Sequence, residues 1–308
     1  MQRLLTTATI AGLLIATAAA FAITERLKLT KSAVFGTHVS TRLSPTCGCA
    51  RGKATIAFKL RRRDHIAVSV LDAHRDEIAL LADATYPAGP VRFRWDGRND
   101  AGVRSPDGTY YVRIHLAGGH QTVTLPNRIS LDTKPPEIVS VERNREQFSP
   151  DGDHQADFVR LTYKLTKPAH VLLFLNGKRV LETHQHPAAG SLSWYGKAHG
   201  RTLPAGFYTL DVGALDQSGN STPVADRVRI TVEIRYIALA SHRIVVPAGR
   251  RFQIGVATDA KRYAWKLGKA KGQSGNPVLT LRAPTRKGRY TLVVEEHGQL
   301  DRAAVIAR

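Results

Sequence analysis

The stretch WDGRNDAGVRSPDGTYYVRI, residues 95–114, decides the fold of the region around it. From Tyr110 onward it alternates apolar and polar residues, which is typical of a strand that buries one face. Asp107 and Gly108 predict a tight hairpin turn just before that strand, because glycine accepts a positive φ and aspartate hydrogen-bonds its own backbone. A second interpretation is a ligand-binding loop built on the three acids of the stretch: Asp96, Asp100 and Asp107.

A second copy of the pattern decides between these interpretations. The segments ATIAFKL, HIAVSVLDA, FRWDGRNDAG and SPDGTYYVRIHL (54–116) match FVRLTYKL, HVLLFLNGK, LSWYGKAHG and LPAGFYTLDVGA (158–214) in the same order. Tyr195 replaces Asp96 and Ala205 replaces Asp107, so the acids are not kept between the copies. We therefore predict turn and core roles for the residues that are kept: Trp95, Gly97, Gly108 and Tyr110, with their counterparts Trp194, Gly196, Gly206 and Tyr208.

The remainder of the chain has the same character. Its 308 residues exceed one small β domain, and short alternating runs bounded by Gly, Pro and Asn-Gly recur throughout. Residues 236–308 contain seven such runs, from YIALA to RAAVIA, with Trp265 expected in their core. The sequence predicts an all-β chain with modules at 53–133, 134–235 and 236–308.

The run from Phe93 to Tyr110 resembles the Ig-like domain shared by flagellar hook-capping proteins and secreted subtilisin-type proteases, the FlgD/Vpr Ig-like family. The match extends over 54–116 and is weaker in the second copy. DTKPP (132–136) is similar to the linkers of tandem bacterial Ig-like domains, and ALDQSGNST (214–222) is similar to their hairpins. The resemblance implies tandem Ig-like β-sandwiches without catalytic residues, used as spacers or protein-binding modules. The sequence shows neither the hook-capping N-terminal region nor a protease domain, so neither parent function carries over directly.

The N-terminal segment differs from the modules. Residues 4–23 carry no charge and follow Arg3. Their length is sufficient to cross a hydrocarbon core of about 30 Å, while Ala20-Phe21-Ala22 also fits a signal cleavage site. The sequence predicts an apolar helix over 1–23 that is either a retained single-pass membrane anchor or a cleaved signal. In both cases the body is exported: it stays at the cell membrane if the helix is retained and is secreted if it is cleaved.

Residues 24–52 are predicted to form a stalk that contains the only two cysteines, Cys47 and Cys49. Two thiols without further ligands do not make a structural zinc site. In an oxidising compartment they form a local disulfide that stiffens the stalk, an intermolecular bridge, or remain free thiols.

Positive charge is concentrated at the end of the chain. The net charge is +5 for residues 1–52, +3 for 53–133, +2 for 134–235 and +10 for 236–308. Outside the membrane, the anions available to such a module are wall polymers and lipid headgroups. Nucleic acid is not expected as a partner, because no aromatic platform or recognition helix accompanies the charge. The alternatives are a solvated basic face and an anion-binding patch that includes Lys269, Lys271, Arg286 and Lys287.

One acidic segment, FSPDGDHQAD (148–157), is a candidate cation site. Asp151, Asp153 and Asp157 place oxygen atoms at alternate positions, as calcium loops do. Ala156 replaces the glycine of an EF-hand loop and no glutamate closes the segment, so an Asp-rich turn without calcium is the alternative. No other cofactor is expected.

The sequence contains no G-x-S-x-G, H-E-x-x-H or Walker motif. It therefore predicts a non-enzymatic, envelope-anchored spacer or interaction protein that contacts anionic cell-surface material or a partner protein. The alternative is an accessory binding subunit of a secreted hydrolase or of a flagellum-like extracellular assembly.

Overall fold

The computed structural model describes residues 12–21 and 32–308. Residues 12–21 are helical, and the other residues of the apolar segment predicted at 1–23 lie outside the described ones. None of the described helices has both the length and the apolar character needed to cross a membrane. Beyond residue 31 the regular structure is β-strand, interrupted by short 3-10 turns at Ala50–Gly52, Ala117–Gly119 and Val224–Asp226. The predicted all-β fold is confirmed.

The first module is a β-sandwich. A three-stranded sheet in the order β1-β3-β6 covers a larger sheet in the order β2-β9-β7-β4-β5, in which β8 also pairs with β7. Their bounds are β1 Val34–Val39, β2 Arg42–Leu43, β3 Ala54–Leu60, β4 Asp64–Leu71, β5 Glu77–Tyr86, β6 Gly89–Trp95, β7 Gly108–Leu116, β8 Gln121–Thr124 and β9 Ile129–Leu131.

The second module has the same two sheets, in the orders β10-β12-β15 and β11-β19-β18-β13-β14, and an added hairpin of β16 and β17. Its strands are β10 Ile138–Arg143, β11 Gln147–Phe148, β12 Val159–Leu165, β13 Ala169–Leu175, β14 Lys178–Glu182, β15 Ala189–Trp194, β16 Lys197–Ala198, β17 Arg201–Thr202, β18 Gly206–Asp216 and β19 Val228–Ile234.

The third module repeats this arrangement, with sheets in the orders β20-β22-β25 and β21-β27-β26-β23-β24. Its strands are β20 Ala238–Leu239, β21 Arg243–Val246, β22 Arg251–Ala257, β23 Tyr263–Leu267, β24 Ala270–Ser274, β25 Val278–Arg282, β26 Gly288–Glu296 and β27 Gln299–Ala307. The third module is thus a third copy of the same topology, although its sequence lacks the tryptophan that marks the other two.

A short parallel strand is common to the three modules. The strands β2, β11 and β21 each pair in parallel with the last strand of their own module. Each module also has its own hydrophobic core between the two sheets. The chain divides into two compact units, Met1–Thr133 and Lys134–Arg308, so the second and third modules belong to one unit.

The stalk predicted for residues 24–52 is corrected in its described part. Val34 and Val39 on β1 and Leu43 on β2 are buried members of the first core. Strand β1 pairs with β3 in antiparallel register. Residues 34–43 therefore belong to the first sandwich, because their apolar side chains complete its core; residues 24–31 lie outside the described chain.

The kept tryptophans and glycines have matching positions in the first two modules. Trp95 and Trp194 are each 2% exposed, and their indole nitrogens donate to the carbonyls of Arg98 and Lys197 at 2.7 and 3.0 Å. The glycines two residues after each tryptophan have φ of 83° and 62°. A β-carbon on either glycine would lie 2.9 Å from a proline Cγ atom. Any larger residue would collide with the proline in a backbone conformation that disfavours side chains.

A tyrosine closes the same corner in all three modules. Tyr110, Tyr208 and Tyr290 follow a Gly-x pair at the start of β7, β18 and β26. Their hydroxyls donate to the carbonyls four residues earlier at 2.6, 2.8 and 2.8 Å. Burial raises the pKa of Tyr110 and of Tyr208. The third member, in KGRY, was missed by sequence comparison because the tryptophan before it is absent.

Replacing each of these tyrosines with phenylalanine should remove one hydrogen bond and keep the ring in place. We expect a loss of about 1 kcal/mol in the free energy of unfolding of the affected module, measured by denaturant titration. Tyr195→Phe is the control, because Tyr195 is 49% exposed and outside this corner. Losses no greater than that of the control in all three variants would contradict a stabilising role for the hydroxyls.

Candidate functional site

Two equivalent loops follow the short parallel strand in the first and second modules. Ser44 and Ser149 begin them, and their backbone N–H groups donate to the carbonyls of Arg51 and Ala156 at 2.9 and 3.1 Å. The next residue of each loop is a proline, and this proline lies against the kept glycine of its module. SPTCGCARG and SPDGDHQAD therefore occupy the same place in two copies of one fold.

The first loop is closed covalently. Cys47 and Cys49 form a disulfide, with their Cα atoms 5.2 Å apart. Of the sequence-predicted alternatives for these thiols, the structure contains the local bridge. It lies in a loop of the first sandwich instead of in a stalk, because β2 before the loop and β3 after it are both sandwich strands.

The second loop has no cysteine and gathers acids instead. One carboxylate oxygen from each of Asp151, Asp153 and Asp157 lies within 4.8 Å of the others. Asp157 accepts hydrogen bonds from the backbone of Gly152 and His154 at 2.7 and 2.9 Å, which folds the segment back on itself. The structure thus brings together the three acids that the sequence singled out.

The loop makes its turn without the glycine of an EF-hand. Ala156 has φ of 46° and His154 has φ of 68°, both in the left-handed region. This conformation is uncommon for residues with a side chain. Ala156, which replaces the EF-hand glycine, therefore does not prevent a turn, because the alanine itself adopts the left-handed conformation.

Two further acids come from the third module. Oxygen atoms of Asp151 and Glu296 and a ring nitrogen of His297 also lie within 4.8 Å of one another. The Glu296 side chain is 3% exposed; its Oε2 accepts from the Thr258 hydroxyl at 2.8 Å. Asp259 follows Thr258, and neither of its buried carboxylate oxygens accepts a hydrogen bond from another described residue.

The electrostatics of these acids differ from those of an ordinary surface turn. Burial raises the pKa of Asp259 to about 6, against the effect of its own backbone N–H, and the charges of Asp151, Asp153 and Glu296 raise it further. Burial also raises the pKa of Glu296; the Thr258 hydroxyl and His297 oppose this, whereas Asp151 adds to it. These carboxylates thus repel one another in a partly desolvated space, where a cation would relieve the repulsion.

The equivalent position of the second module is neutralised by the protein itself. Asp216 ends β18 as Glu296 ends β26, and the Lys167 ammonium lies 2.6 Å from its carboxylate. Burial opposes the ionisation of Asp216, but hydrogen bonds from Lys167 and Asn220 outweigh it and lower the pKa of Asp216. In the third module the loop that corresponds to the one with Lys167 supplies another acid, Asp259.

The predicted anion-binding residues lie on the third module and are all exposed: Lys269, Lys271, Arg286 and Lys287. Lys269 is in the turn between β23 and β24, and Arg286 and Lys287 precede β26. Tyr290 contacts both turns at one end of the sheet. A β-carbon placed on Gly268 would lie 3.5 Å from the Tyr290 ring, and the Tyr290 hydroxyl donates a hydrogen bond to the Arg286 carbonyl. Lys271 is in strand β24.

The cations of this module are not neutralised internally. Among residues 236–308, all of them described, the carboxylates within ion-pairing distance of a side chain are paired with histidines and not with lysine or arginine. In the first two modules, by contrast, arginines such as Arg113, Arg143 and Arg235 pair with glutamates. Lys266 and Lys271 even stand directly opposite each other on β23 and β24, an arrangement that costs stability because like charges repel.

Sequence reasoning missed Asp259, Glu296 and His297. They lie more than a hundred residues beyond the acidic loop in the sequence. Asp259 is in the loop between β22 and β23, whereas Glu296 ends β26 and His297 follows it in the hairpin. The sequence does show two acids near turns at one end of the third module. They can be recognised as part of a site only when the second module is known to lie beside them.

The sequence model of the family described as FlgD Ig-like domain matches residues 44–119. No curated protein matches the sequence. A three-Ig structure of titin domains I67–I69 is 11% identical, with 90% of this chain and 99% of that chain covered and a TM-score of 0.31. FLGD from P. aeruginosa is 18% identical, with 44% of this chain and 89% of that chain covered and a TM-score of 0.24.

Fibronectin(III)-like modules of Clostridium thermocellum CbhA are 10% identical to this chain, with coverage of 65% of this chain and 94% of that chain and a TM-score of 0.34. The matched family segment begins at Ser44, at the disulfide loop, and ends in the turn after β7. It includes both the tryptophan and the tyrosine corner of the first module. Residues 44–119 therefore match the FlgD Ig-like domain in sequence, within a chain of tandem β-sandwich modules.

Proposed function

We propose that this chain is a non-enzymatic spacer and interaction protein of the cell envelope, whose third module binds an anionic, phosphate-rich polymer of the cell surface. The observation that carries the proposal is the excess of unpaired cations on that module. Its net charge is +10, although it is the smallest of the three modules. Exposed cations that lack internal partners remain available to an external anion.

The distribution of the cations favours an extended ligand. Lys269, Arg286 and Lys287 lie in turns at one end of the sheet, and Lys266 and Lys271 continue the charge along the exposed face of β23 and β24. A linear polyanion can contact both regions at once, and each contact of this exposed kind contributes about 0.5 kcal/mol. Several weak contacts that act together give useful affinity without a deep pocket.

The remaining parts of the proposal rest on sequence. An uncharged N-terminal segment supports membrane attachment or export, and the family resemblance of residues 44–119 favours a spacer role over catalysis. Cell fractionation and N-terminal sequencing of the mature chain test this part. A membrane-bound chain that begins at or near Met1 supports the anchor, and a soluble chain that begins near Ile23 supports a cleaved signal.

Charge reversal tests the binding surface. In the full chain, changing Lys269, Lys271, Arg286 and Lys287 to Glu should weaken binding to immobilised poly(glycerol phosphate) by about 2 kcal/mol, roughly thirty-fold. Wild-type binding should fall steeply between low and physiological salt, because exposed charges are screened beyond about 8 Å at 0.15 M ionic strength. Surface plasmon resonance at several salt concentrations measures both effects.

A matched control separates a local surface from net charge. Changing Arg92, Arg94, Lys178 and Arg201 to Glu alters the net charge equally, on exposed residues of the first two modules. The control variant should bind almost as wild type does. Equal weakening in both variants would contradict a localised site, and a single partner protein bound independently of salt would favour an accessory subunit of a secreted hydrolase or extracellular assembly.

A further inference from the structure

We propose that one calcium ion binds where the second and third modules meet, held by five carboxylates: Asp151, Asp153, Asp157, Asp259 and Glu296. The inference is independent of the anionic partner proposed above. It extends the acidic loop recognised in the sequence by two residues of another module. The ion would join two sandwiches that otherwise have separate cores.

The geometry supports a single shared ion. Asp151 belongs to two groups of potential ligand atoms, each with all its atoms within 4.8 Å of one another. One group contains Asp153 and Asp157 of the same loop, and the other contains Glu296 of the third module. Calcium binds six to eight oxygens at about 2.3–2.6 Å, so oxygens within 4.8 Å of one another can coordinate one ion, and we place that ion at Asp151, which the two groups share. Asp151 is the residue through which both modules reach it.

An independent observation points to a ligand. Glu296 is the most buried acid of the cluster, with its side chain 3% exposed, and its Oε1 atom accepts no hydrogen bond from a described residue. The exposed His297 ring has its Nδ1 atom 3.2 Å from Oε1. A carboxylate that is desolvated to this degree is costly unless it is paired or coordinates a metal ion. The carboxylates of Glu296 and Asp151 have oxygen atoms within 4.8 Å of each other, so a cation bound between these two acids would neutralise both.

The second module shows how the same position is satisfied without a metal. There the buried acid at the end of β18, Asp216, has an ammonium partner in Lys167 and further donors in the hairpin that follows. In the third module the acid at the end of β26 has an oxygen within 4.8 Å of one from Asp151 and accepts a hydrogen bond from Thr258, whose neighbour Asp259 has two buried carboxylate oxygens without a donor from another described residue. The third module therefore has an acid, Asp259, in the loop where the second module has Lys167, next to a buried carboxylate in both cases.

The donor set selects calcium. All five proposed ligands are carboxylates on three separate segments: the acidic loop, the loop between β22 and β23, and the end of β26. Such a set suits the variable coordination of calcium better than the strict octahedron of magnesium. Zinc and copper prefer nitrogen and sulfur ligands, whereas His297 supplies the one nitrogen among the close groups of ligand atoms in the described chain.

The equivalent loop of the first module indicates what a bound ion would do for the structure. That loop is fastened by the disulfide between Cys47 and Cys49, whereas the loop with Asp151 has no covalent fastening. A calcium ion would cross-link the second loop and, through Glu296 and Asp259, would also hold the third module against the second. Calcium would then stabilise the unit formed by residues 134–308 and leave the first module unchanged.

Calorimetric unfolding of the full chain in detergent, in chelator and in millimolar calcium, tests this proposal. Calcium at about a hundred times its Kd should raise the melting temperature of the 134–308 unit by about 5 °C or more, and magnesium should do so much less. Glu296→Gln and Asp259→Asn should each weaken calcium binding by about tenfold or more in titration calorimetry. The matched control is Glu295→Gln, since Glu295 is adjacent in sequence but exposed on the other face; it should bind as wild type does.

The outcomes separate the alternatives. Absence of any calcium shift in the wild-type chain would overturn the proposal and leave an Asp-rich turn. Calcium binding that depends on Asp153 but not on Glu296 or Asp259 would overturn the shared site in favour of one confined to the loop. Zinc binding that depends on His297 would overturn the choice of metal. If Glu296→Gln melts early in chelator, Asp259→Asn decides the test, because that carboxylate has no hydrogen bond from another described residue to lose.

Discussion

Replacing Trp95 with alanine should lower the free energy of unfolding of the first module by about 3–5 kcal/mol, the usual cost of deleting a large buried aromatic side chain. The indole is 2% exposed, its ring centroid lies 4.9 Å from that of Tyr110, and its nitrogen donates to the carbonyl of Arg98. The substitution therefore removes core volume, an aromatic contact and a turn hydrogen bond together. Trp194→Ala should cost a similar amount in the second module, where the corresponding ring packs against Phe148.

Denaturant titration of the full chain, followed by fluorescence of the remaining tryptophans, measures both losses. Asp96→Asn is the control in the same turn: an amide oxygen still accepts the bond that the Arg98 N–H donates to Asp96 at 3.2 Å, so the change should stay within about 0.5 kcal/mol. Unaltered unfolding of both tryptophan variants would contradict the role of these residues as core plugs, and with it the alignment of the two copies.

The sequence was sufficient for the sandwich because two physical constraints repeat within it. Alternation with a period of two assigns one face of each strand to the core, and the kept W-x-G and G-x-Y pairs mark the same turns in both copies. The acids of the opening stretch are turn residues in the structure as well: Asp100 accepts the backbone N–H of Leu80, and Asp107 accepts that of Thr133. A residue that is constrained by backbone geometry leaves a local signature that a single sequence can reveal.

Long-range pairing left no such signature. The short strand β2 of the predicted stalk pairs with β9, which lies about ninety residues later, and only its two residues take part. Strand β24 was missed because AKGQS shows no apolar alternation; it is an edge strand, where lysine discourages pairing with other chains. The prediction that Trp265 belongs to the third core was partly correct, because its ring is half-buried, packs against that core and lies next to Gly272.

The acidic cluster illustrates the same limit for a site. Its half in the loop at 149–157 could be predicted, because three aspartates at alternate positions are visible in one segment. Its other half depends on how the third module lies against the second, which no spacing in the sequence specifies. Glu296 differs from the other acids of the third module because the whole residue is buried. The sequence alone does not reveal this burial, which depends on the fold.

Asp216→Ala should lower the free energy of unfolding of the second module by about 3 kcal/mol. The Asp216 side chain is 4% exposed and accepts hydrogen bonds at 2.8, 2.8 and 2.9 Å from the backbone N–H groups of Ser218 and Asn220 and from the Asn220 amide. Alanine removes the acceptor of these three hydrogen bonds and the carboxylate of the ion pair with Lys167. The hairpin ALDQSGNST is built around this one carboxylate.

The pH dependence identifies the ionised form as the stabilising one. The pKa of Asp216 is lowered in the folded chain, so the folded state binds its proton less readily than the unfolded state does. The stability gained is complete above the unfolded pKa of about 3.9 and is lost as the pH falls through the lower folded value. Asp216→Asn retains an acceptor oxygen but cannot ionise, so it should cost less than alanine at pH 7 and should flatten this part of the stability profile. Denaturant titrations of the wild-type and asparagine chains between about pH 2 and pH 7 make the comparison; parallel profiles would show that the charge of Asp216 contributes nothing and that only its hydrogen bonds hold the hairpin.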